Sequence, residues 1–164
     1  MDAITSLTAK LTNPKISVHD KLIEICQRTH QLIEGSDRVS LWVFSKDFNK
    51  ITSILCYDST SGSFTSGHEL TREDYNDYFD AILNKDVIYA PQARENLFTL
   101  CFNETYFEPL NIYSLLDFIL HKDFEPIGII CCESVGKETQ WTDDDIEILR
   151  RISNISSFYF QVNS

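Results

Sequence analysis

The sequence predicts an α+β domain: an antiparallel sheet with the N- and C-terminal helices on one face and a helical insertion with its loops on the other. Three observations carry that expectation. A helix-start signal, Ser or Thr followed three residues later by Asp, occurs at Ser17…Asp20, Thr71…Asp74 and Thr142…Asp145. Several β-type runs are nearly continuous in apolar residues, as strands covered on both faces should be. The short connections Lys46–Asn49 and Lys122–Glu125 join consecutive runs as hairpins, which makes their pairing antiparallel.

Taken in order, the first helix is expected from Val18 to Ile33, with Val18, Leu22, Ile25, Cys26, Leu32 and Ile33 on one stripe and Gly35 as its stop. A hairpin of Arg38–Ser45 and Lys50–Tyr57 follows. The second helix starts at the Thr71…Asp74 signal and carries Tyr75, Tyr78, Phe79, Ile82 and Leu83. Val87–Ala90 reads as a strand, and Ala93–Phe107 as a further helical stretch with evenly spread aromatic residues. Tyr113–His121 and Pro126–Glu133 form the second hairpin, making five β-type runs. The last helix runs from about Asp143 to Phe160, with Ile146, Leu149, Ile152, Ile155, Phe158 and Tyr159 along one side.

The 164 residues, 43% of them apolar, are sized for a single domain over 1–164, with a core at about 17–160 and residues 1–16 as an N-terminal extension. Against 25 Asp and Glu stand 14 Lys and Arg, a net charge of −11. Such a surface repels phosphate backbones and anionic lipid, so neither a nucleic acid nor a membrane is an expected partner. Ten of the acids fall in Glu69–Asp80 and Glu138–Glu147. Both segments contain helix starts, where carboxylates complement the helix dipole. Apolar stretches run to four or five residues, against the about 20 that a spanning helix needs, and no signal-peptide pattern opens the chain. The expected location is the cytoplasm.

Cys26, Cys56, Cys101, Cys131 and Cys132 form no C-x-x-C pair, and three lie inside apolar runs, as reduced buried thiols do. Cys131 and Cys132 are adjacent on a strand and should point to opposite faces, against a shared metal or a vicinal disulfide. The four histidines are scattered without ligand spacing. No metal site or cofactor is readable, and no Gly-rich phosphate loop or nucleophile elbow appears.

Dispersed blocks then carry a family resemblance: Val39-Ser40-Leu41-Trp42-Val43-Phe44, Tyr57-Asp58, Ser66-Gly67-His68-Glu69-Leu70, Asp74-Tyr75…Tyr78-Phe79, Pro109 to Asp117, Gly128 to Gly136, and Trp141-Thr142. In order and spacing the chain resembles GAF domains, above all those of bacterial histidine kinases and cyclic-dinucleotide signalling proteins. The resemblance implies a GAF-like, PAS-related sheet of five or six strands. It also implies a ligand pocket between sheet and insertion, and terminal helices that pair with a second copy and lead to an output domain in a longer parent protein.

The residues themselves offer candidates for that pocket. Ser40, Ser114, Asp117 and Glu133 are polar positions inside apolar strands, and a carboxylate buried there must be paired, hydrogen-bonded or protonated. Asp117 and Glu133 are therefore candidate ligand anchors, with bonding to loop backbone or emergence at the sheet edge as the alternative. Trp42, Tyr75, Tyr78 and Phe79 could wall an aromatic site or be plain core. Leu22, Ile148, Ile152 and Phe160 are the candidate dimer surface on the terminal helices. The expected function is a non-catalytic sensory or regulatory module that binds an unidentified small molecule, dimerises, or both. Two alternatives stand beside it. One is a thiol-dependent redox enzyme of the free methionine sulfoxide reductase kind, with Cys56 and Cys101 to be probed; the other is a ligand-free interaction domain.

Overall fold

In the computed structural model, which describes residues 2–159, seven antiparallel strands form one sheet. They are β1 (Arg38–Phe44), β2 (Lys50–Asp58), β3 (Ser63–Thr65), β4 (Glu69–Thr71), β5 (Val87–Ala90), β6 (Ile112–Lys122) and β7 (Glu125–Val135). Their order is β3-β2-β1-β7-β6-β5, and β4 pairs with the other end of the β2 edge. The five expected runs are all present. The two additional strands have three residues each, too few to show a period, and β3 is exposed throughout.

Among the described residues five α-helices accompany the sheet: α1 (Ala3–Thr12), α2 (Val18–Leu32), α3 (Asn76–Lys85), the single turn α4 (Glu108–Leu110) and α5 (Asp143–Ser157). Two of the three start signals act as expected. Ser17 accepts from Asp20 N, and Thr142 with Asp145 forms a reciprocal capping box at α5. The third does not. Thr71 ends β4, and its hydroxyl donates to Asp74 Oδ2 at 3.0 Å inside a turn, while α3 begins later, at Asn76, without a side-chain cap. Residues 1–16, read as an extension, contain α1, whose Ile4, Leu7 and Leu11 are buried against α2 and α5. Gly35, after α2, has φ +86°, and a Cβ there would collide with Thr139.

The sheet separates two apolar layers, as the strand composition anticipates. One face carries Val39, Leu41, Leu116, Leu120, Ile130 and Cys132 against α1, α2 and α5. The other carries Trp42, Ile51, Leu115, Ile119, Ile129 and Cys131 against α3 and the segment after β5. Cys131 and Cys132 do point to opposite layers. Of the helical stretch expected over Ala93–Phe107, the part before Leu100 is a series of turns and the rest is an irregular helical run. It passes through a 3-10 turn at Leu100–Phe102 and a π turn at Asn103–Phe107 into α4. Side chains satisfy the backbone there: Thr99 Oγ1 donates to Ala93 O (2.6 Å), Asn103 Nδ2 to Arg94 O (2.9 Å), and Arg94 Nε to Ile112 O (2.8 Å). A π turn widens the helix by one residue, a distortion concentrated at functional sites.

Candidate functional site

Between the sheet and this irregular segment lies a small, partly open cavity. Its floor comes from β1, β6 and β7 with Trp42, Leu115, Asp117, Cys131 and Glu133, and its roof from Tyr78, Phe102 and Tyr106; Ile51 and Leu70 close one side. Strand alternation places these residues. Leu115 and Asp117 are two apart on β6, Cys131 and Glu133 two apart on β7, and the register sets Asp117 opposite Cys131 and Leu115 opposite Glu133. The roof aromatics interlock. Tyr75 stacks on Phe102 with ring centroids 4.5 Å apart, and Tyr78 meets Phe102 edge-on at 5.0 Å. Measured at the centres of water-sized spheres, the space is about 20 Å³, room for a water molecule.

Both carboxylates are buried, Asp117 at 2% and Glu133 at 1% exposure, but they are balanced differently. Glu133 Oε1 accepts from Arg38 Nε and from the Tyr106 hydroxyl, each at 3.2 Å. Arg38 reaches on to Asp58 at 3.4 Å, towards the surface. Burial raises the Glu133 pKa, while Arg38 and Tyr106 pull it back. Burial also opposes the Arg38 charge, but Glu133, Tyr106 and Cys56 together outweigh it and hold the guanidinium protonated. Asp117 has no such cation. Its Oδ2 accepts from the Tyr78 hydroxyl, and its Oδ1 has no hydrogen-bond partner among the described residues. Burial pushes its pKa up to about 7, against the pull of the Cys131 thiol and Tyr78 and with the added repulsion of Glu133. The Tyr78 and Tyr106 hydroxyls are themselves pushed up by burial, so they remain donors.

Of the residues singled out from sequence, Trp42, Tyr78, Asp117 and Glu133 come together around the cavity. Tyr75 and Phe79 do not line it. Tyr75 braces the roof, its hydroxyl 2.7 Å from Thr105 Oγ1, and Phe79 is fully buried behind Tyr78. Ser40 and Ser114 have structural partners: Ser40 accepts from the Trp42 indole at 2.8 Å, and Ser114 joins Pro91 O to Thr139 N. Leu22 and Ile152 turn inward, at 8% and 0% exposure, into the layer that also holds Leu7 and Leu11, so they are core and not free helix surface. Ile148 is partly buried at the edge of that layer, and Phe160 lies outside the described residues. Sequence reading missed Phe102, Tyr106 and Arg38. The i, i+4 spacing of Phe102 and Tyr106 was the available signal for two of them. Nothing local marks Arg38, which stands 95 positions from Glu133.

All five thiols have their pKa raised by burial, the half-buried Cys101 included, so none is an activated thiolate. Among the described residues no cluster of three His, Cys, Asp or Glu could hold a metal, and no helix is long and apolar enough to cross a membrane.

No curated protein matches the chain by sequence. Solved structures match it in fold. The GAF domain of an Acinetobacter phosphoenolpyruvate-protein phosphotransferase superposes with a TM-score of 0.73 at 12% identity, covering 96% of this chain and 90% of that one. The GAF domain of a two-component sensor histidine kinase from Bacillus halodurans gives 0.62 at 16%, covering 87% and 90%. The free methionine-R-sulfoxide reductase of Neisseria meningitidis, solved in complex with its substrate, gives 0.70 at 10%, covering 96% and 86%. The family model for the GAF domain matches residues 17–157, nearly the whole chain, and this protein belongs to the GAF domain family.

Proposed function

We propose that this domain is a sensory or regulatory module of a signalling protein, of the two-component or cyclic-dinucleotide kind, and that it works in the cytoplasm by binding a small molecule beneath the Leu100–Phe107 roof. One observation carries the reading: Asp117 Oδ1 is buried, unpartnered and set in the wall of an aromatic cavity. A lone buried acceptor costs about 1–3 kcal/mol or more, a cost that a ligand donor removes. A roof of short, irregular turns supported by side chains can open more readily than a regular helix. Native mass spectrometry of protein purified from cells, followed by incubation with a metabolite extract, tests this. A retained molecule, with slowed hydrogen exchange over residues 100–110, is the expected result. No retained mass and no change in exchange would favour a ligand-free interaction domain.

Catalysis is not part of the proposal. The redox alternative requires a reactive thiolate, and the raised thiols argue against one. Thiol titration of the native protein should modify Cys101 at most; rapid modification of a second cysteine together with methionine sulfoxide reduction would restore the enzyme reading. Homodimerisation through α2 and α5 remains in the proposal, with Ile148 and the exposed Phe158 at the contact in place of Leu22 and Ile152. A monomer in sedimentation at tens of micromolar would remove it.

A further inference from the structure

The geometry points to a small organic cation rich in hydrogen-bond donors, such as an amidinium or primary ammonium group, as the ligand class of this cavity. The inference rests on the small-molecule reading above and deepens it. It follows from an inventory of the wall. With Asp117 ionised, every strong donor there is already committed within the protein: the Tyr78 hydroxyl to Asp117, the Tyr106 hydroxyl to Glu133 at 3.2 Å, and the Trp42 indole N–H to Ser40 at 2.8 Å. What the wall leaves open is an acceptor, Asp117 Oδ1. Against ionised Asp117, a ligand bringing acceptors would find no donor to meet it and would sit beside two carboxyl groups. A ligand bringing N–H donors would satisfy the orphaned oxygen through a charge-assisted bond.

Charge agrees with this, and because the space of about 20 Å³ holds one water, the Leu100–Phe107 roof has to yield to admit the cation. Glu133 is neutralised by Arg38, its direct cross-strand partner on β1, whereas Asp117 has no counter-cation. The ionised pocket is therefore short of one positive charge. Trp42, Tyr78, Phe102 and Tyr106 surround the same space, and aromatic faces attract a desolvated cation. Exposed His68 flanks the Trp42 and Tyr106 rings at 6.0 and 5.6 Å, extending the aromatic wall outwards. The groups facing Asp117 are Tyr78 from α3, Cys131 and Glu133 from β7, and Tyr106 from the π turn, with Arg38 behind Glu133; none supplies the missing cation.

Three isosteric probes decide the question on the full chain: acetamidinium, acetamide and acetate. The chain has two tryptophans. Trp42 lies in the cavity wall and Trp141 in the opposite layer, its indole bonded to Leu115 O at 3.1 Å, so their indole NMR signals serve as reporter and control. Acetamidinium at millimolar concentrations should shift the Trp42 signal saturably and leave Trp141 in place. Its affinity should rise with pH through about 7 as Asp117 ionises, and Asp117→Asn should weaken it by about tenfold or more. Should that variant fail to fold, the same comparison between pH 5.5 and 8 on the unaltered protein replaces it. Acetate or acetamide binding as well as acetamidinium would overturn the cation while leaving a small-molecule pocket intact. No shift with any probe would also overturn it, and the native mass spectrum then judges the broader reading separately.

Discussion

The two faces of one sheet have been put to different uses. Towards α1, α2 and α5 the layer is almost wholly aliphatic, with Leu7, Leu11, Ile25, Leu116, Leu149 and Ile152 all essentially inaccessible. Towards α3 and the Leu100–Phe107 segment the layer is aromatic and contains both buried carboxyl groups of the sheet. The strands alternate, so adjacent residues serve opposite purposes: Leu116 stabilises one layer and Asp117 introduces chemistry into the other. A domain can hold a costly polar site on one face because the other face is densely packed with aliphatic side chains and, among the described residues, buries no carboxyl group.

The sharpest way to break that contrast is at Arg38. Arg38→Met leaves Glu133 buried without its cation and should cost about 3–5 kcal/mol in denaturant unfolding at neutral pH. The loss should shrink as the solution is acidified and Glu133 protonates; an undiminished loss at low pH would mean that Arg38 acts through packing. Next comes Asp117. Its folded pKa lies above the unfolded value of 3.8, at about 7. Between those values the native state holds a proton that the unfolded state has lost, so this group's contribution to stability falls as pH rises from about 4 to about 7 and then levels off. Asp117→Asn should flatten that slope and add up to about 4 kcal/mol at pH 8. A slope that survives the substitution would assign it to another group.

On the aliphatic face, Leu7→Ala should cost about 3 kcal/mol although α1 lies outside the segment matched to the family. It should leave the Trp42 indole signal unmoved. A shift there would show that the two layers are coupled through the sheet. The smallest effect is local. Thr142→Ala removes the capping box of α5 and should cost about 1 kcal/mol, read as a small drop in Tm with the pocket probes unaffected.

Much of this contrast was written into the chain in short-range terms. The apolar runs of β1, β6 and β7, the opposite aim of Cys131 and Cys132, and the caps at Ser17 and Thr142 are legible because alternation and capping operate within a few residues. Thr71…Asp74 shows the limit of such signals. The same spacing closes a turn as well as a helix, and here the residues after it enter the helix late. The stretch over Ala93–Phe107 was legible as helical but not as a roof, since turns held by Thr99, Asn103 and Arg94 bonding to distant carbonyls have no periodic signature.

The sequence by itself determined the fold class, the two-sided burial of the sheet and the presence of two carboxyl groups inside apolar strands. Only the tertiary structure decided what those carboxyls meet. Tyr78 reaches Asp117 across 39 positions and Arg38 reaches Glu133 across 95, pairings set by strand register and layer packing, which no local pattern encodes. The same packing withdrew Leu22 and Ile152 from the surface. It also left Asp117 as the acid without a cation, a difference between two similar carboxyl groups that becomes visible only when all of their neighbours are in place.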